Sequence, residues 1–171
     1  ELDLPRRYRT IFVCGSFGLG SSRDRDRQAL DRLRDHLEPG ATLLLDHEVP
    51  YADAGTWKYW LRDERASLPE VARPARDPRR GSDGADYALS ARVLGVDPLE
   101  QHVVMEIHAE RWRDGVLEEA EDHRLDMSLY FEHELLLMLE RAGFDDVTVH
   151  GEHTERPPTA DDGFLVFVAR R

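Results

Sequence analysis

The chain has 171 residues, with 35 acidic and 23 basic side chains and a formal net charge of -12. That length suits one domain, and the acidic balance argues against electrostatic capture of nucleic acid or of an anionic membrane surface. Hydrophobic residues make up 40% of the chain, enough for a core, but no apolar run approaches the ~20 residues that span a bilayer.

Cys14 is the single cysteine. Without a partner it forms no internal disulfide, which fits a reducing compartment and predicts a cytoplasmic protein. No signal-peptide pattern stands at the start. The sequence opens on Glu1 rather than methionine, and a strand signal follows within about a dozen residues. Either the N-terminus was processed or the chain is a piece of something longer.

Ile11-Phe12-Val13-Cys14 is a continuous apolar run, the pattern of a strand buried on both faces of a parallel sheet. Gly15, Gly18 and Gly20 follow, and then Ser21 and Ser22, which are good helix N-caps. Asp24 and Asp26 suit a first helical turn, and Ala29, Leu30, Leu33 and Leu37 recur at helical spacing until Pro39-Gly40 stops the helix. Leu43-Leu44-Leu45 reads as a second buried strand that ends at Asp46. Strand, glycine loop, helix and strand make a βαβ unit with a parallel pair.

Residues 50 to 86 change character. Tyr51, Trp57, Tyr59 and Trp60 cluster first, and Pro69, Pro74 and Pro78 follow with many arginines. The expectation is a short helix near 54–66, then a mobile loop carrying Arg73, Arg76, Arg79 and Arg80. From Tyr87 to about Leu125 the period becomes two. Tyr87, Leu89, Ala91 and Val93 alternate with small or polar residues, and Asp114-Gly115 is a hairpin turn signal. This predicts an antiparallel β insertion with one face packed and with Glu106 and His108 on a solvated face.

The end returns to α/β grammar. Phe131, Leu135, Met138, Leu139 and Ala142 share a helical face, Glu132 and Glu134 open the helix and Gly143 follows it. Val147 and Val149 make a short strand, Pro157-Pro158 a loop, and Phe164 to Ala169 a final apolar strand.

Four phrases in this order, "YRTIFVCGSFGLG", "ALDRLRDHLEPGATLLLDHEVPY", "ELLLMLERAGFDDVTVHG" and "GFLVFVARR", resemble the second half of class I S-adenosylmethionine-dependent methyltransferases. In that family a seven-stranded sheet has the order 3-2-1-4-5-7-6, with strand seven antiparallel. "HLEPGATLLLD" resembles the family's L-x-P-G-G-x-L turn, with Ala41 at the second glycine. The glycine motif Gly15 to Gly20 is G-x-x-G-x-G, neither a dinucleotide fingerprint nor a P-loop, and it resembles the loop after the family's fourth strand. The family's own glycine-rich loop after strand one has no counterpart here.

The resemblance implies an α/β fold: a partial Rossmann-like sheet of strands four to seven with an antiparallel β insertion. Residues 1–171 then form a single domain, the C-terminal half of the fold, with 50–127 as a substrate-binding insertion. It implies S-adenosylmethionine as cofactor, touched by Cys14, Gly15, Ser16 and Phe17, because open α/β sheets bind ligands at the carboxyl ends of their strands. His47 and Glu48, beyond the next strand, are candidates to orient or deprotonate a small-molecule O or N acceptor. Tyr51, Trp57 and Trp60 are candidate walls of the acceptor pocket, or the packed side of an insertion helix. His150, Glu152, His153 and Glu155 have ligand-type side chains but no matching cluster, so no metal site is expected. The rivals are a remnant that self-associates through an exposed sheet edge, as in a homodimer, and one half of a split enzyme whose missing N-terminal half is a separate chain.

Overall fold

The computed structural model describes residues 4–71 and 77–171. It divides into two compact units, one of residues 1–57 and 128–171 and one of residues 58–127.

In the first unit, β1 (Tyr8–Val13) leads through a glycine loop into α1 (Arg23–Asp35) and then β2 (Leu37–Glu48). Ser22 caps α1, its side chain accepting from the Arg25 N–H, and Asp24 and Asp26 face the positive end of the helix dipole. β1 and β2 run parallel, and β2 lies antiparallel to the last strand. The residues after 50 begin with the single turn α2 (Ala54–Trp57).

The second unit starts with a 3₁₀ turn (Lys58–Trp60) and α3 (Arg62–Arg65). Thus the helix expected near 54–66 is three short pieces. Its sheet follows, in the order β3 (Arg79–Arg80), β4 (Asp86–Asp97), β5 (His102–Arg113) and β6 (Val116–Ser128). Of the arginines expected in a mobile loop, Arg79 and Arg80 instead pair with Asp86 and Tyr87 as β3, whereas Arg73 and Arg76 lie outside the described residues. The Asp114-Gly115 turn is as expected, with φ of +49° and +77° at its two residues.

The β insertion differs from expectation in which face it buries. Ala88 and Ser90 are buried, while Tyr87 and Leu89, the expected inner face, are exposed. Further along, Val93 is buried as the alternation expects, and so are Val96 and Val103. A bulge between Val93 and Gly95 keeps Val93 and Val96 on one face although they stand three residues apart. The face of Glu106 and His108 is not simply solvated either. Arg92 Nε donates to Glu106 Oε1 at 2.7 Å, and His108 lies 2.7 Å from Asp122 Oδ1 and 3.0 Å from Glu110 Oε1. Charged strand residues can be covered when each finds a partner.

The chain returns to the first unit with α4 (Glu132–Arg141), β7 (Asp146–Gly151) and β8 (Phe164–Arg170). The sheet order is β1-β2-β8-β7, with β8 antiparallel to both neighbours. Leu30 and Leu33 of α1 and Leu135 and Leu139 of α4 pack with Leu43, Leu45, Leu165 and Phe167 in one core. Each such side chain contributes about 1.5–3 kcal/mol by leaving water. Both helices therefore cover the face that carries the odd-numbered residues of β2.

β2 is longer than its sequence suggests. Leu37 belongs to it rather than to α1, and the strand runs on to Glu48. Pro39-Gly40 falls in an irregularity of the β1–β2 register, where a missing N–H and the φ of +74° at Gly40 are tolerated. Alternating burial of Leu43, Leu45 and His47 then holds the strand together past Asp46.

Candidate functional site

The carboxyl ends of β1 and β2 lie side by side, the place where open α/β sheets receive ligands. After β1 the chain turns through Gly15, at φ +53°, and Gly18, at φ +87°. Gly18 has a second reason to be glycine: its C=O accepts from Ser128 N–H at 2.9 Å, and a Cβ would run into the Ser128 carbonyl oxygen. Cys14, Gly15 and Ser16 are exposed. The Phe17 side chain turns inward instead, packing on the Tyr130 ring at 5.4 Å between centroids. Three of the four expected cofactor contacts thus present side chain or backbone outward, and Phe17 anchors the loop from beneath.

His47 and Glu48 do not come together. They are neighbours within β2, so their side chains leave on opposite faces of the sheet. His47 is buried beneath the helices, and its Nε2 accepts from Tyr130 N–H at 3.3 Å. Burial holds its pKa down at about 4, against smaller raising effects that include the nearby Asp46 and Asp26 carboxylates. Glu48 is exposed on the other face.

Around His47 lies a buried polar network. Tyr130 Oη donates to Asp26 Oδ2 at 2.5 Å. Burial, and then Asp26, push the phenol pKa up, so it stays a donor. The Arg23 guanidinium sits 4.7 Å over the Tyr130 ring, donates to Leu129 C=O at 3.0 Å and pairs with Glu134. This network fixes residues 128–130 against the glycine loop.

The opposite face of β2 carries Asp46, at the mouth of the same loop. One carboxylate oxygen accepts the Gly15 N–H. The other lies 3.2 Å from His153 Nε2, from the turn between β7 and β8. The His153 ring packs on Phe164 at 4.6 Å. That turn is tightly built: Asp162, itself buried, accepts from Thr159 N–H at 2.6 Å and pairs with Arg156. Its pKa is pulled down to about 2, chiefly by Arg156 and then by the Thr159 N–H.

Of the aromatic candidates, Tyr51 and Trp57 meet edge to face at 6.3 Å. Trp57 also meets Phe131 at 6.4 Å, a residue the sequence placed on the packed face of α4 but which stands at its N-cap. Trp60 belongs to the second unit, where its C=O accepts from Arg65 Nη1 at 3.1 Å. The Asp46–His153 pair was beyond sequence reasoning, since 107 positions separate its members. Among the described residues no group of three His, Cys, Asp or Glu side chains is placed to hold a metal ion. No helix among them is long and apolar enough to cross a membrane.

The sequence matches no family profile and no curated protein. Its structure, however, is similar to solved methyltransferases. A S-adenosylmethionine-dependent methyltransferase from Clostridium acetobutylicum aligns with a TM-score of 0.68 at 14% identity, over 99% of this chain and 61% of that one. The CcbJ methyltransferase from Streptomyces caelestis aligns at 0.61 and 22% identity, over 99% and 64%. An amino pentose methyltransferase from Micromonospora echinaspora, involved in calicheamicin biosynthesis and solved with S-adenosylmethionine bound, aligns at 0.59 and 18% identity, over 100% and 61%. The chain has the α/β fold of these methyltransferases and spans about three fifths of their length. Its sheet order and the antiparallel β8 correspond to the 4-5-7-6 end of the seven-stranded sheet.

Proposed function

We propose that this chain serves S-adenosylmethionine-dependent methyl transfer to a small-molecule O or N acceptor. The observation that carries the reading is the exposed glycine loop at the carboxyl end of β1, set in a sheet with the order and directions of a methyltransferase. The loop's chemistry fits the cofactor. Open backbone at Cys14, Gly15 and Ser16 permits close approach, and the carboxylates of Asp46 and Glu48 lend negative potential where a sulfonium and an α-ammonium carry positive charge. When bound, the cofactor supplies an electrophilic methyl group. The protein's share is alignment for in-line displacement and exclusion of water. Tyr51, Trp57 and Phe131 offer an apolar wall for the acceptor, and the second unit, with Trp60, is the substrate-selecting insertion.

In this reading the rest of the cofactor site comes from strands that would pair with the edge of β1 that no strand among the described residues occupies, in the same or a separate chain. Residues 1–171 alone then bind S-adenosylmethionine more weakly than micromolar. Titration calorimetry on that chain tests this, and micromolar binding would refute the shared site. The second reading, self-association through that edge, is favoured by Phe12, a large apolar side chain 67% exposed on β1.

A further inference from the structure

We infer that His153, oriented by Asp46, is the general base that takes the acceptor's proton. The inference rests on the methyl-transfer reading above. Three observations carry it. First, Asp46 joins two elements at the sheet's ligand edge: it accepts from Gly15 in the glycine loop and holds Nε2 of His153. His153 is thereby two hydrogen bonds from the loop assigned to the cofactor. Second, the pair is asymmetric in the way a base requires. The Asp46 side chain is 16% exposed and that of His153 is 69% exposed, so the carboxylate is sheltered while the ring faces solvent and any ligand at the edge. A carboxylate only accepts, so the ring donates from Nε2, and in its neutral form the lone pair is then on Nδ1. Third, the ring is held in place. It packs on Phe164, and its turn is locked by Asp162, Arg156 and the Thr154 Oγ1 to Gly151 C=O bond of 2.6 Å. His47, the histidine the sequence favoured, is buried, and its Nε2 accepts from Tyr130 N–H.

In the reaction, a lone pair on the acceptor O or N forms a bond to the methyl carbon. The methyl C–S bond breaks and its electron pair stays on sulfur. The acceptor's proton passes to His153 Nδ1, the Asp46 carboxylate stabilises the resulting imidazolium, and the proton then leaves to water. Asp46 is a positioning residue, and His153 is the catalytic one.

The test uses the intact gene product, whatever its length. With ¹⁵N-histidine label, His153 should show the Nε2–H tautomer, Asp46→Asn should lose that preference, and S-adenosylhomocysteine should shift the Nδ1 resonance. With S-adenosylmethionine and phenol, catechol and benzylamine as acceptor probes, His153→Gln should lower kcat by about 10²–10⁴-fold and leave S-adenosylhomocysteine affinity unchanged. An unchanged kcat, or a loss confined to KM, overturns the base. If no probe is methylated, the ring decides: S-adenosylhomocysteine that binds without moving the His153 resonances also overturns it. A protein that neither binds S-adenosylhomocysteine nor releases it with any probe overturns the methyl-transfer reading itself, and the base with it.

Discussion

His47 is a titratable group whose surroundings leave no room for a charge. Its pKa is held at about 4 in the fold against 6.5 for an ordinary histidine, so the unfolded chain takes up the proton first as pH falls. The stability this neutral ring supports is complete above about pH 6.5 and drains away as pH drops toward about 4, by about 3 kcal/mol in all. Urea unfolding at about pH 7 and about pH 4.5 should show that loss, and His47→Gln, whose amide oxygen still accepts from Tyr130 N–H, should flatten it. Single residues were the least legible level in the sequence. "DHE" reads as three polar residues after a strand, and only pairing with β8 as far as Phe164 reveals that the three alternate between core and surface. Phe17 shows the same limit: its place in a glycine loop suggested a ligand contact, and its ring went to the core because Tyr130 was there to meet it.

At the scale of elements, local chemistry and outcome agree wherever a cap or turn fixes the backbone. Ser22 starts α1, Gly143 follows α4 at φ +87°, and Asp114-Gly115 closes a hairpin. The disagreements come where a distant partner overrides the local signal. Pro39-Gly40 is a helix-stop word, yet the strand already begins at Leu37 because Tyr8 is there to pair with it. The glycine loop is the element on which the proposed function rests, and its register depends on Gly18. Gly18→Ala combines an unfavourable positive φ with a collision at the Ser128 carbonyl. The expected cost is at least about 1 kcal/mol, read from denaturant midpoints. Gly20→Ala, at φ +60° but with open space around it, should cost less, and equal losses would show that the Ser128 contact does not matter.

At the scale of the molecule, the order of apolar runs made the sheet legible, because a buried parallel pair followed by a helix, strand, loop and strand leaves few topologies. What the runs could not say is which face each strand hides. The face of β1 and β2 away from the helices carries Phe12 beside Leu44, with Val168 next in register. Among the described residues β1 pairs with β2 alone. Such an edge invites another strand, so residues 1–171 in isolation should self-associate in light scattering, and Phe12→Lys should shift them toward monomer. A wild-type monomer would count against edge pairing between copies. The first unit also has a property that concerns inheritance rather than energy. It releases the chain at Trp57 and takes it back at Ser128, and the rings of Trp57 and Phe131, beside those two points, stand 6.4 Å apart. A segment with neighbouring ends can be exchanged for another of different length without disturbing its host, so this scaffold is suited to the exchange of whole modules as well as to changes at single positions.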